Sequence, residues 1–428
     1  MAPRAELIFH GTGTSSCLPN IACITASPTD PRCETCWLAA DASRGAAVDL
    51  QAEEAIRNRR RNTGAILRYS DPAKGEETVI VVDAGKSFVQ AAIEWFPVHN
   101  LREIDGLLLT HAHADAMNGL DDLRGWTLHG RIQKHIDIYL TQRTFDEVKR
   151  TFPYLVDKGM ATGGGDVPDF VWHIISEFDE VEIKGVKVVP LLLHHGRYFE
   201  PQATLSLASP LPTRPETPNP GFTPKSGAST PLLKTNGLAP PNTSIGNLLP
   251  STLYAKPIPT PIPYPSLGFL FPKFLYFSDV SEIPTETTQY LSSLAEEDKP
   301  QVLIIDCLRP KPHMSHFGFA QSIQAVKQFS LTRSYIIGMT CGTASEFVTH
   351  RGWAQLCGRL SEGRPGLDED RWQGSEGERR RCEAALHDAQ AAIGSPSSPW
   401  VRPCFDGMRI LVDEKDVSDD VYDDVYGA

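Results

Sequence analysis

The chain has 428 residues, of which 41% are hydrophobic and 22% charged, enough to bury a substantial core in one large domain or two ordinary ones. Its formal net charge of −12 repels phosphate backbones at long range, which disfavours broad nucleic-acid binding but leaves room for a small anionic substrate beside a bound cation. No apolar run approaches the ~20 residues that span a bilayer, the first residues lack the basic-then-apolar pattern of a secretion signal, and the scattered cysteines suit thiols or metal ligands better than disulfides, so a cytoplasmic or nuclear location is expected.

Leu7-Ile8-Phe9 predicts a strand that enters a tight turn at Gly11-Thr12-Gly13-Thr14. The turn is superficially like a phosphate cradle, but neither a helix-forming segment nor a Lys-Ser/Thr pair follows, so no nucleotide loop is expected. Ala65 to Tyr69 and Thr78 to Val82 read as paired strands, and Phe88 to Phe96 has helical spacing. Ile104 to Thr110 is a buried strand running into a histidine-rich loop. Phe145 to Leu155 reads as a helix, and Val181 to Leu193 as two β segments broken at Lys184-Gly185. From Pro201 to Pro265, proline and small polar residues dominate; such a stretch cannot bury enough apolar surface to offset its ordering entropy, and it is expected to be a disordered insertion. Strands resume at Gly268 to Phe271, Phe274 to Phe277 and Gln301 to Asp306. A helix over Phe319 to Phe329 and a strand over Ser334 to Met339 follow. Ser361 to Arg381 is a charged loop or helix extension, and residues 414–428 form an acidic, fraying tail. Both sides of the insertion supply strands, so residues 1–428 are expected to form a single α/β domain with a two-layer sheet core flanked by helices.

The strongest chemical signal is Thr110-His111-Ala112-His113-Ala114-Asp115. Two imidazoles two residues apart point to the same side of an extended strand end, and a carboxylate two residues on reaches the same cavity. Imidazole with carboxylate suits Zn2+, Mn2+ or iron.

A His-x-His-x-Asp sequence after an apolar strand resembles the signature of the metallo-β-lactamase superfamily. The resemblance is closest to the cyclic-phosphodiesterase-like branch and to fungal hydrolases of that kind. It extends over Gly11 to Ser16, Asp83-Ala84-Gly85, Leu193-His194-His195-Gly196, Tyr276-Phe277-Ser278-Asp279 and Phe405-Asp406-Gly407. It implies a four-layer αββα sandwich with metal at the sheet edges. By the same resemblance His195 is the third imidazole ligand, with His194 as bystander unless the register slips by one, and Asp279 bridges two ions. Asp83 is expected to be structural. His316, in Pro312-His313-Met314-Ser315-His316-Phe317, matches the histidine that assists the leaving group.

Two positions depart from the family. It places a histidine directly after the motif aspartate, where this chain has Ala116. Its last metal histidine follows a strand like Ile336 to Thr340, and the position so matched is Cys341. The resemblance thus assigns His111, His113, His195 and Asp279 to a first ion and Asp115, Asp279 and Cys341 to a second. Cys341 reads equally as a zinc thiolate or as a small buried hydrophobe. Cys33-Glu34-Thr35-Cys36 with Cys23 resembles the structural zinc knuckle of the same branch. The family's fourth ligand there is a histidine three residues beyond its last metal histidine, which falls on Ala344; Cys17 is another candidate.

The resemblance implies a hydrolase using water activated by one or two Zn2+ or Mn2+ ions, with Asp115 orienting the water and His316 serving the leaving group. Its expected substrate is a small phosphate ester, a phosphodiester first. A thioester or ester hydrolase of the same fold, a tRNA-processing nuclease, and a non-catalytic metal-binding protein that recruits partners through the proline-rich segment are the alternatives. The reading allows a homodimer and excludes a membrane.

Overall fold

The computed structural model describes residues 3–43, 50–73, 75–162, 166–199, 261–342, 346–394, 398–414 and 416–422. They fall almost wholly within one compact unit formed by residues 1–198 and 263–428; a second unit, residues 199–262, is described only at its ends. Among the described residues no helix is long and apolar enough to cross a membrane.

The first half of the chain supplies β1 (Arg4–Gly11), β2 (Gly64–Asp71), β3 (Glu76–Val82), β4 (Gly106–Leu108), β5 (Ile136–Leu140) and β6 (Phe170–Ile174), all in one sheet. A second sheet takes β7 (Val181–Ile183), β8 (Val186–Phe199), β9 (Pro261–Phe271), β10 (Phe274–Phe277), β11 (Val302–Asp306), β12 (Arg333–Ile337) and β13 (Val401–Pro403). The chain then returns to the first sheet with β14 (Arg409–Val412) and β15 (Val417–Asp419). The strand orders are β15-β14-β1-β2-β3-β4-β5-β6 and β13-β12-β11-β10-β9-β8-β7.

Period-two alternation explains why the sheets stack. Ala5, Leu7 and Phe9 of β1, Ile80 and Val82 of β3, Phe274 and Tyr276 of β10, and Val302 and Ile304 of β11 share one buried cluster between the sheets. The alternate residues of the first sheet, such as Ile8, Val79 and Val81, pack under the helix Phe88–Val98 through Phe88 and Phe96. Those of the second sheet, such as Leu275, Leu303, Ile305 and Ile336, pack under the helices Phe319–Phe329, His350–Ser361 and Glu376–Ile393. Both sheets are therefore apolar on both faces and covered outside by helices, which makes the αββα sandwich.

Some boundaries differ from the sequence reading. β9 begins at Pro261, so the last five residues of the expected insertion are strand, and residues 201–260 lie outside the described ones. The helix read over Phe145 to Leu155 is two, Gln142–Thr151 and Pro153–Val156, because Pro153 has no N–H with which to continue the first. The acidic tail does not fray at 414: Val417 and Tyr422 are buried between the sheets, and the Tyr422 hydroxyl donates to Pro403 O at 2.8 Å. Residues 423–428 lie outside the described ones.

Two buried histidines away from the candidate centre give the fold a pH dependence. His10 donates from Nε2 to Val82 O at 3.1 Å, and burial lowers its pKa from 6.5 to about 4. Burial and the neighbouring Arg60 push His350 down as well. The unfolded chain protonates His10 near pH 6.5 and the folded chain only near 4, so the stability His10 contributes is complete above 6.5. It is lost as pH falls through that window, at up to ~1.4 kcal/mol per pH unit for each such histidine. Urea unfolding at pH 7, 6 and 5 should show this decline in the wild type and a shallower one in His10→Gln; equal slopes would refute the assignment.

Candidate metal centre

The candidate residues collect where strands of both sheets end. Past β4 the chain gives Thr110 and His111, and past β3 it gives Asp83, whose φ of 61° turns its carboxylate back towards β4. Asp83 accepts from Thr110 N and from Thr110 Oγ1, both at 2.8 Å. With the hydroxyl proton given to Asp83, Thr110 Oγ1 accepts from His111 Nδ1 at 2.8 Å. His111 Nε2 then carries a lone pair, buried, with no hydrogen-bond partner among the described residues.

His113 caps the short helix Ala114–Met117, which also carries Asp115. That turn docks directly on Asp83-Ala84-Gly85: Ala84 N donates to Ala116 O at 2.8 Å, and Gly119 N donates to Ala84 O at 2.7 Å. A Cβ at Gly85 would overlap the carbonyl oxygen of Asp115. The Asp-Ala-Gly sequence therefore serves the site twice, through the Asp83 carboxylate behind Thr110 and through the backbone space under Asp115.

His195, near the end of β8, is buried and donates from Nδ1 to Ser315 O at 2.7 Å, which directs its Nε2 inward. Burial, helped by the neighbouring imidazoles, drives its pKa down to about 3, so the ring is neutral, as a metal ligand requires. The strand pleat turns the adjacent His194 away, to pair with Glu282 at 3.0 Å.

His111, His113 and His195 offer ligand atoms all within 4.8 Å of one another, and His195, Asp279 and His316 form a second such group. Asp279 follows β10 with φ 51°; burial, against the pull of His316 and with the push of Asp115 and Asp306, raises its carboxyl to about 8. Three imidazoles, one with a buried nitrogen that has no hydrogen-bond partner among the described residues, beside a buried carboxyl could hold a divalent cation. Asp115 adds negative charge felt by His113 and Asp279 but is not in either tight group.

Asp306, which the sequence reading passed over, ends β11. Its Oδ2 accepts from His316 Nδ1 at 2.8 Å and from Val280 N at 3.1 Å. Burial alone would lower His316, but Asp306 and Asp279 outweigh it and raise the imidazole to about 9. The signal was present: β3, β10 and β11 each end in an apolar run followed at once or one residue later by aspartate, and only two of the three were used. Tyr264 was also missed, because it fell inside the expected insertion; it stacks on His113 at 4.8 Å between ring centres.

Cys341 is not at this centre. Gly338, with φ 77°, turns the chain out of β12, and the Cys341 sulfur lies 3.9 Å from that of Cys23. Cys23, Cys33, Cys36 and Cys341 bring their sulfurs within 4.8 Å of one another in a buried pocket with Leu18 and Phe347. Asn20 N donates to Cys36 Sγ at 3.3 Å. Hydrogen bonds from the Cys341 and Cys36 thiols push the Cys33 thiol down from its ordinary value. The cluster thus offers four sulfurs that could hold an ion. Cys17 faces Ser87 instead, and position 344 lies outside the described residues.

This placement shifts the register expected from the family. If Cys341 occupies the fourth knuckle position, the last metal histidine, three residues earlier, corresponds to Gly338. A Cβ at 338 would press on Asp306 Oδ1, so the position does face the centre. Gly338 and Ala116 both lack a donor atom.

A two-sheet sandwich with helices on both outer faces, and a His-x-His-x-Asp loop at its strand ends, is the arrangement of the metallo-β-lactamase fold. Residues 78–211 match the family described as the beta-lactamase superfamily domain, a span that includes Asp83, His111, His113, Asp115 and His195. That match covers less than half of the chain, and the two-sheet architecture has the metallo-β-lactamase fold. Among solved structures it is similar to a diphosphatase of the PhnP family, at 16% identity and TM-score 0.51, covering 96% of this chain and 97% of that one. Unliganded yeast PDE1 shares 11% identity over 95% of this chain and 98% of its own, at TM-score 0.46. An octanoyltransferase of Porphyromonas gingivalis is 25% identical over 190 residues, which is 44% of this chain but only 31% of that protein.

Proposed function

We propose that the chain is a metal-dependent phosphodiesterase that works with one divalent cation, zinc first, held by His111, His113, His195 and Asp279. The convergence of His113 and His195 on the buried His111 Nε2, which has no hydrogen-bond partner among the described residues, carries this reading. A single ion is favoured because the two positions that would supply imidazoles to a second one are Ala116 and Gly338. When bound, the cation supplies Lewis acidity and lowers the pKa of a coordinated water towards ~7.

The chain's own residues do the rest. Thr110 and Ser315 O fix the tautomers of His111 and His195 so that both present Nε2. Asp115 orients the attacking water and accepts its proton. His316, backed by Asp306, donates a proton to the departing alkoxide oxygen. The likeness to a diphosphatase supports a phosphate ester over an acyl ester as substrate.

Zinc-loaded protein should hold two ions per chain, one at the histidine centre and one in the cysteine cluster, and hydrolyse bis(p-nitrophenyl) phosphate. His111→Ala should retain one ion and lose turnover by about a thousandfold. A third ion in the wild type would overturn the single-ion centre, and failure to cleave any of a panel of phosphodiesters would overturn the activity.

A further inference from the structure

The segment that follows β11 and the helix Glu376–Ile393 together line a cavity of about 280 Å³ that the proposed mechanism does not use. None of its lining residues belongs to the histidine centre. Arg381, Ala385 and Asp388 recur at helical spacing, so one face of the helix is turned to the cavity. Ala384 and Ala385 leave the space open, because longer side chains at those positions would fill it.

The lining carries four cations, Arg309, Lys311, Arg380 and Arg381, against two carboxylates, Glu346 and Asp388. That is a surplus of two positive charges in a chain of net charge −12. The fold holds these cations in place. Phe319 N donates to Arg309 O at 3.0 Å, and a Cβ at Gly318 would overlap the Lys311 carbonyl, so this segment packs on the start of the helix Phe319–Phe329. Arg381 donates to Phe347 O from Nε at 3.1 Å and from Nη2 at 2.8 Å, with its guanidinium carbon 5.1 Å from the Phe347 ring centre. Arg309 Nε is buried without a hydrogen-bond partner, and neither Arg309 nor Lys311 has an ion pair among the described residues. Positive charge fixed beside the short apolar surfaces of Pro310, Ala384 and Ala385 suits a dianion with a small aliphatic body.

We propose that this cavity binds a small organic dianion, a phosphate monoester or a dicarboxylate, and that the bound dianion ties the Arg309–Lys311 segment to the helix Glu376–Ile393. The same segment runs on to Ser315 and His316, so occupancy holds the loop that meets the histidine centre. Butyl phosphate and glutarate are the probes, with butyrate as the monoanion, titrated by calorimetry into His111→Ala, whose histidine centre should hold no ion. Binding is then read without turnover, and its outcome is separate from that of the phosphodiesterase reading. At least one dianion should bind at a single site, about tenfold or more tighter than butyrate, and the tighter of the two identifies the source. Lys311→Ala and Ala384→Phe, both at exposed positions, should each weaken that binding about tenfold, the first by removing charge and the second by filling the cavity. Bound dianion should also slow amide hydrogen exchange across residues 309–318. Absence of dianion binding, butyrate bound as tightly, or an affinity unchanged in either variant would overturn the site. Unchanged exchange across 309–318 would overturn its hold on the His316 loop.

Discussion

Cys341→Ser should release one zinc ion per chain and lower the melting temperature by about 10 °C, while the ion at the histidine centre stays in place. The sulfurs of Cys23, Cys33, Cys36 and Cys341 come from three separate stretches of chain, so an ion among them cross-links the 17–36 region to the loop after β12. A structural zinc site of this kind contributes roughly 10 kcal/mol or more of binding free energy to folding, and a serine oxygen is a poor replacement for a thiolate. The same loop carries Gly338 against Asp306, and Asp306 holds His316. Turnover should therefore fall modestly, through a loosened His316, and not through loss of the catalytic ion. Elemental analysis paired with calorimetry reads both effects, with Cys17→Ser as the control that changes neither. An unchanged metal content, or loss of the ion from the histidine centre, would return Cys341 to the role the family register first gave it.

That register shows where sequence reasoning reached its limit. The two-layer sheet core flanked by helices was legible because short apolar strands and helical segments lie on both sides of the Pro-rich break, whereas the αββα order came from the family resemblance. His111 and His113 were legible because local spacing alone directs them to one side. Cys341 was not: its partners lie some three hundred residues away, and which site it joins depends on a backbone turn at Gly338 whose positive φ no local pattern specifies. Asp306 was missed for a related reason. Its role lies in a hydrogen bond to His316 across a loop, and a lone aspartate at a strand end reads equally well as a cap. Tyr264 was hidden by composition, because the prolines of β9 continue those of the insertion before it.

His195→Ala should empty the histidine centre and reduce phosphodiester turnover by three orders of magnitude or more, whereas His194→Ala should leave metal content and turnover within about twofold of wild type. The two histidines are adjacent in one strand, and the pleat sends them to opposite faces. His195 faces inward, donates to Ser315 O and shares both tight ligand groups, so its loss removes a ligand and also frees the 313–316 loop that carries His316. His194 lies outside, and its contact with the exposed Glu282 is a surface pair worth well under ~1 kcal/mol. Both variants should keep four sulfurs in the cysteine cluster and therefore one zinc ion, which separates loss of the centre from unfolding. Spectra of cobalt-substituted protein would report the two sites independently, through sulfur-to-metal bands for the cluster and weaker ligand-field bands for the histidines. Equal losses in the two variants would mean that β8 runs in the other register, and with it the assignment of the centre would have to be rebuilt around His194.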